Sequence, residues 1–239
     1  MKKKKILVTG GNGRFAKILK EKNKKLNLIF TSKKNCNILK LNSIIKCVKK
    51  IRPKIILHCA ALSRPMQAHD IDIKKSIDLN IIGTANIVKM CEKFKIKIIY
   101  FSTGYVYEGK KGNYSEDDPV KPINKYALSK LGGECSVSMY DKSLILRITM
   151  TEKPFVHRKA YDNVKNNFMF HEDLVKILPY IINKNGILNV GGKGQSIYDF
   201  AKKFNPKLKK IKATNKTKIP LNQSMNLSLL KKILKKRLK

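Results

Sequence analysis

The sequence predicts an α/β protein: a doubly wound parallel sheet with a small C-terminal lobe. Three observations carry that expectation. Short apolar runs, Ile6-Leu7-Val8, Ile55-Ile56-Leu57 and Ile98-Ile99-Tyr100-Phe101, read as strands buried on both faces. Helical patterns separate them, and strands alternating with helices form parallel sheets whose ligands sit at the strands' carboxyl ends. Between the first strand and the first helix stands Gly10-Gly11-Asn12-Gly13, a turn able to bring backbone close to a ligand.

Taken in order, Lys4 to Thr9 is the first strand and a helical pattern follows through Leu19. Gly10 permits the tight turn, Gly13 lets backbone approach a pyrophosphate, and small Ala16 lets the helix pack on the strand. Backbone N–H groups at the helix start would hold the phosphates, which makes this a candidate dinucleotide site. The glycines fit both a Gly-x-x-Gly-x-x-Ala and a Gly-x-Gly-x-x-Ala register, and an ordinary glycine turn is the alternative. The second strand, Leu26 to Phe30, ends at Thr31-Ser32-Lys33-Lys34. A NAD site places an acidic residue here for the ribose 2′-hydroxyl. Ser32 and Lys33 instead favour a 2′-phosphate, hence NADP over NAD, with solvated lysines as the alternative.

Ile44 to Ile51 is an amphipathic helix, and the third strand, from Lys54, ends in the small residues Cys59, Ala60 and Ala61, against which a flat cofactor could lie. His58 reads as a satisfied strand-end histidine. A long helix from Ile71 to Phe94 holds Asn80, which either binds a backbone carbonyl or water near the site or is structural. The fourth strand exits at Ser102-Thr103-Gly104, and the fifth is Ser143 to Arg147. Beyond it the pattern gives a loop over the site (Thr149 to Asn167), a helix (His171 to Ile182), a strand (Gly186 to Val190) and a short helix (Ile197 to Phe204). A flexible basic crossing (Lys207 to Lys218) and a basic helix (Asn226 to Lys239) complete it. The expected division is a dinucleotide-binding part over 1–147 and a reduced substrate-binding region over 148–239.

The candidate chemistry lies in Tyr126-Ala127-Leu128-Ser129-Lys130, with Asn124 as N-cap of its helix. Tyr126 and Lys130 then share a helix face one turn apart. A free tyrosine, with a pKa of about 10, holds its proton at neutral pH. A neighbouring lysine cation would lower that pKa, and the Thr103 hydroxyl could hold a substrate oxygen while the phenol passes its proton. An amphipathic surface pair is the alternative for an isolated Tyr-x-x-x-Lys.

Composition bounds the rest. The 239 residues are 42% hydrophobic and carry a formal net charge of +37. No apolar run approaches the about 18 residues of a membrane span, and the lysine-rich start has too short an apolar part for a signal peptide. Five dispersed cysteines show no metal-ligand spacing and read as reduced thiols, so the expected compartment is cytoplasmic and the expected metal content none. Lysine is spread through almost every segment, and no aromatic interleaving marks a nucleic-acid surface; nucleic acid is the less favoured partner. The positive field would instead draw in anionic cofactors and substrates.

These motifs in this order resemble the extended short-chain dehydrogenase/reductase family, and within it the dTDP-4-dehydrorhamnose reductases and related sugar-nucleotide reductases. The pieces are Val8 to Gly13, Leu57 to Ala61, Asn80-Ile81-Ile82-Gly83-Thr84, Phe101 to Tyr107, and Tyr126 to Glu134, with a weaker match over Asn226 to Leu230. The resemblance implies a Rossmann fold and a catalytic set of Thr103, Tyr126 and Lys130. Hydride would pass from a nicotinamide to a keto group on a nucleotide-linked deoxysugar while Tyr126 protonates the oxygen. Implied cofactor contacts are Gly10, Asn12, Gly13, Arg14, Phe15, Ser32, Lys33, Asn37, Cys59, Ala60, Ala61 and Asn80, with Tyr126 and Lys130. Implied substrate contacts are Ser63, Arg64, Tyr105, Tyr107, Arg147 and Phe155. The resemblance also implies a homodimer through the helix bearing Tyr126 and the long helix before it.

Two departures qualify it. Gly104 and Tyr105 stand where dehydrating members carry Asp-Glu, which argues against a dehydratase, and the reductases usually have Asp at the position of Gly104. The fold also contains a non-catalytic member, the regulatory β subunit of methionine adenosyltransferase. A cofactor-binding scaffold without turnover is therefore the alternative, with an epimerase further behind.

Overall fold

The computed structural model describes residues 4–214, 217 and 219–236. Strand β1 (Lys5–Thr9) leads through the glycine turn into α1 (Arg14–Lys22), followed by β2 (Asn27–Phe30), α2 (Leu41–Ile51) and β3 (Ile55–His58). Where one long helix is expected, the chain makes α3 (Ala68–Ile71), α4 (Ile73–Ile77), a π-turn over Asp78–Ile82, and α5 (Gly83–Lys93). Asp72 starts α4 by accepting from the Lys75 N–H at 2.8 Å. Strand β4 (Lys97–Thr103), α6 (Lys125–Ser138) and β5 (Ser143–Ile148) complete the expected first part.

These strands form a wholly parallel sheet, closed on its far edge by a strand from the C-terminal part, β10 (Gly186–Val190). Its order is β10-β5-β4-β3-β1-β2 among the described residues. This is the Rossmann-like fold. Alternate residues of each strand feed the two faces. Ile6, Val8, Leu57, Phe101 and Leu146 face one helical layer, while Leu7, Ile56, Ile98, Tyr100 and Ile145 face the other. The first layer holds Phe15 and Leu19 of α1, Leu174 and Leu178 of α7 (His171–Ile181), and Leu230 of α9 (Ser228–Lys235). The second layer holds Ile44 and Val48 of α2, Ile87 of α5 and Val137 of α6. Each such side chain, fully buried, contributes roughly 1.5–3 kcal/mol. From beyond Arg147, β10 joins the sheet and α7 and α9 join its helical layers.

Two expected connections are ordered elements instead. The stretch read as a covering loop contains β6 (Met150–Thr151), β7 (Lys159–Tyr161) and β8 (Lys165–Asn166), with β9 (Met169–Phe170) just beyond. After β10 come β11 (Gln195–Ser196), α8 (Ile197–Lys202) and β12 (Lys209–Ile211), the last lying in the supposed flexible crossing. The pairs β6–β9, β7–β12 and β8–β11 tie these segments together. Their core is Phe155, Ala160, Val164, Phe170, Ile197, Phe200 and Leu208. These apolar residues are contributed by distant segments, so no local period announces them. The last helix ends at Lys235; positions 237–239, given to it by the sequence pattern, lie outside the described residues.

Candidate active site

The sheet reverses its direction of growth between β1 and β3, and a doubly wound sheet opens its crevice at that point. Gly10, at φ +65°, ends β1 there, and a Cβ on it would lie 2.7 Å from Ala60 Cα at the end of β3. Only glycine combines that backbone with that approach. The Gly13 N–H closes the turn on the Gly10 carbonyl at 2.9 Å. Helix α1 then begins with no side-chain cap and no acidic residue in its first turn. A helix start left without an internal anion is suited to phosphate. Asn12 and Arg14 are exposed beside it. Phe15 differs from expectation: its ring is buried against Phe101 and His171, at 5.3 and 5.7 Å between centroids, so it belongs to the core.

Ser32 and exposed Lys33 follow β2, and the Ser32 carbonyl accepts from Asn35 and Cys36 at 3.1 and 2.8 Å to form a turn. The Asn37 side chain is occupied in leading into α2, accepting from the Leu39 N–H at 3.0 Å. Asn80 is likewise fully engaged within the protein. From the π-turn it exchanges two bonds with the Leu62 backbone, at 2.8 and 2.9 Å, and donates to Ser129 Oγ at 2.8 Å. Binding a backbone carbonyl, one of the roles expected of it, is realised in the bond to Leu62. Asn80 clamps the loop after β3 to α6.

The Asn124 side chain accepts from the Ala127 N–H at 2.9 Å and so starts α6. Tyr126 and Lys130 follow one turn apart. Thr103 ends β4, buried, and its hydroxyl accepts from the Tyr105 N–H at 3.2 Å. The Tyr126 phenol is raised above its ordinary pKa by burial; a hydrogen bond with Thr103 and the charges of Arg64 and Arg14 pull the other way. The lowering expected of Lys130 comes instead from Thr103 and the arginines. That lysine is itself buried, and burial brings its pKa down to about 7 against the opposing pull of Glu134 and Cys59. Its Nζ lies 4.1 Å from the Tyr100 ring centroid. The cations acting on the phenol are the arginines. His58, at the end of β3, bonds Thr9 and Thr84 at 2.8 and 3.2 Å and is held down to about 3 by burial, the satisfied strand-end histidine expected.

Around Tyr126 stand the expected Tyr105, at 6.1 Å between ring centroids, and His69, at 5.2 Å. Burial raises the Tyr105 pKa to about 12. Ser63 and Arg64 lie in the loop after β3 and join a group the sequence did not reveal. Glu152 reaches Arg64 at 2.8 Å and Arg14 Nε at 3.2 Å, while Arg14 donates to Ser63 Oγ at 3.4 Å. Its one signal was an acidic residue just past the fifth strand in a chain with only 16. His69 had no signal, because its contact with Tyr126 is long-range.

Three expected substrate contacts are interior instead. Arg147, 4% exposed, spends its guanidinium on Glu134 (2.7 and 3.1 Å), the Tyr107 hydroxyl (2.9 Å) and the Glu116 carbonyl (3.0 Å). Tyr107 is stacked on Tyr114 at 4.7 Å and bonded to Ser115 and Asn189, both at 2.8 Å. Phe155 lies in the core of the C-terminal lobe. In each case the polar or apolar surface is already satisfied by protein. Gly104 is also explained: a Cβ there would meet Thr149 Oγ1 at 3.1 Å and Met225 Sδ at 3.4 Å, so the C-terminal segment fills that space. Among the described residues, no group of His, Cys, Asp or Glu could hold a metal, and no helix is long and apolar enough to cross a membrane.

A family model described as the RmlD substrate binding domain matches residues 4–170. Among curated proteins, methionine adenosyltransferase 2 subunit beta of Danio rerio is 35% identical over 101 residues, 41% of this chain and 30% of that protein. A dTDP-4-dehydrorhamnose reductase of Aggregatibacter actinomycetemcomitans is 26% identical over 152 residues, 61% of this chain and 51% of that one. The chain thus matches about a third to a half of these relatives' length. Among solved structures, dTDP-4-dehydrorhamnose reductase of Bacillus anthracis in complex with NADP superposes with a TM-score of 0.83 at 24% identity, covering 97% of this chain and 92% of that one. The Thermus thermophilus UDP-glucose 4-epimerase complex with NAD gives 0.77 at 18% identity, covering 98% and 93%. At these identities the likeness is one of fold.

Proposed function

Because the chain belongs to the RmlD substrate-binding-domain family, we propose that it is an NADPH-dependent reductase of a keto group on a nucleotide-linked deoxysugar. The observation that carries this reading is the gathering of buried Thr103 at the end of β4, the Tyr126 phenol packed beside Tyr105, and Lys130 buried one turn along α6, at the crevice where the uncapped start of α1 meets β3. The Gly10–Gly13 turn and the first N–H groups of α1 suit a pyrophosphate, and Ser32 and Lys33, with no acid beside them, suit a 2′-phosphate. The complex of the B. anthracis reductase with NADP supports that choice; NAD remains the second cofactor.

The bound nicotinamide would supply hydride. The chain's own residues do the rest. Thr103 holds the keto oxygen and Tyr126, kept protonated by burial, delivers the proton to it. A phenol raised above its usual value keeps its proton at neutral pH, which is the form a reduction needs it in. Lys130 orients the cofactor ribose, and the phenolate left by proton transfer takes its proton back from solvent before the next turnover. Arg64, Ser63 and Tyr105 line the approach to the phenol and are the proposed substrate contacts.

We place a homodimer contact on the α3–α5 and α6 faces, where Ile71 is 84% and Leu128 53% exposed, and the site of action in the cytoplasm. A second reading, a cofactor-binding subunit without turnover, is favoured by the identity to the methionine adenosyltransferase β subunits. Following NADPH oxidation against a panel of nucleotide-linked 4-keto sugars separates the two. Turnover with at least one member supports the reductase, whereas cofactor binding with turnover of none supports the subunit.

A further inference from the structure

The Glu152 carboxylate lies between two guanidiniums from different parts of the fold. Arg14 opens α1 beside the glycine turn, Arg64 follows β3, and Glu152 comes from the C-terminal lobe. Its oxygens lie 3.2 Å from Arg14 Nε and 2.8 Å from Arg64 Nη1, and the side chain is 21% exposed, against 48% and 30% for the arginines. Carboxylate and phosphate oxygens take the same donors from a guanidinium. Two arginines on one carboxylate leave a surplus positive charge at the crevice mouth. The titratable groups facing these charges are His157 and His171, both held below the ordinary histidine range chiefly by burial, and the phenols of Tyr105 and Tyr126, both raised by burial. His171 is 5% exposed, and its Nδ1 has no hydrogen-bond partner. Neither histidine supplies a second anion.

We propose that Glu152 is an internal substitute for a ligand phosphate: it holds Arg14 and Arg64 at the crevice mouth and is displaced from them by a phosphate-bearing ligand. The inference rests on the dinucleotide reading of the crevice. It makes Glu152 a determinant of affinity, because every phosphate that binds there competes with a tethered carboxylate. It also couples the lobe to ligand entry, because the carboxylate that leaves the arginines belongs to the lobe. Sixteen acidic residues serve a chain of net charge +37, and placing one of them at this mouth stops stray anions from occupying the arginines.

The test is a fluorescence titration of NADPH on the full chain, wild type and Glu152→Gln, at low and high KCl, with inorganic pyrophosphate as competitor. Removing the competing charge is expected to tighten NADPH and pyrophosphate about three- to tenfold at low salt, with the gain shrinking at high salt. Glu152→Asp is expected to stay near wild type. An unchanged or weakened affinity in Glu152→Gln overturns the proposal, since a carboxylate that only braces the arginines would help binding. Failure of the wild type to bind NADPH is a different result and overturns the cofactor reading itself, and the proposal with it. A measurement on the unaltered chain guards against a variant that does not fold. The Glu152 carboxyl, held low against its burial by its own backbone N–H and by the two arginines, should titrate at higher pH when NADPH is saturating and the arginines are withdrawn, and an unmoved midpoint overturns the exchange.

Discussion

Tyr100 holds Lys130 from both ends: its ring lies 4.1 Å from the lysine Nζ, and its hydroxyl donates to the lysine carbonyl at 2.9 Å. A strand residue of the core therefore fixes a cation inside the protein, where burial brings its pKa down to about 7.

That burial has a stability signature. The unfolded lysine, near 10.5, binds a proton that the folded one releases above about 7. The cost of burying the charge is thus fully present below pH 7 and is relieved as pH rises toward 10.5. Lys130→Met is expected to stabilise the protein at pH 7 by roughly 2–5 kcal/mol while abolishing turnover. It should also remove this rise in stability between pH 7 and 10. Thermal unfolding across that range checks both.

The Arg147–Glu134 pair is the opposite case. Both side chains are about 5% exposed or less, and Ser102 donates to the same carboxylate. Arg147→Met leaves that carboxylate buried and unpaired, at an expected cost of about 3–5 kcal/mol in urea unfolding. Adding Glu134→Gln should recover much of it.

Gly10→Ala places a methyl 2.7 Å from Ala60 Cα on a left-handed backbone. The expected loss is about 1–3 kcal/mol of stability, together with at least a tenfold weaker NADPH affinity by fluorescence titration.

Gly104→Asp tests why this position lacks the acid expected by resemblance. Its Cβ would crowd Thr149 and Met225, so the variant should lose about 1–3 kcal/mol and gain no turnover. Met225→Ala in the same chain should return part of the stability, as thermal unfolding would show.

What could be read from the sequence was local. Buried strands, the glycine turn and the Asn124 cap announce themselves within a few residues, and all three are in the structure. What escaped was long-range. Arg147 and Tyr107 look like substrate ligands in isolation, because nothing nearby in sequence shows that Glu134, Glu116 and Asn189 occupy them. The stretches 149–167 and 207–218 look like loop because their strands are two or three residues long and pair across distant segments. Glu152 and His69 act only through contacts made by folding.

The most direct measurement is steady-state turnover and NADPH affinity for wild type and Tyr126→Phe on an accepted keto sugar. A proton donor at Tyr126 requires turnover to fall by at least ~10²-fold while cofactor affinity stays within about threefold. Turnover that survives the loss of the phenol hydroxyl would contradict it.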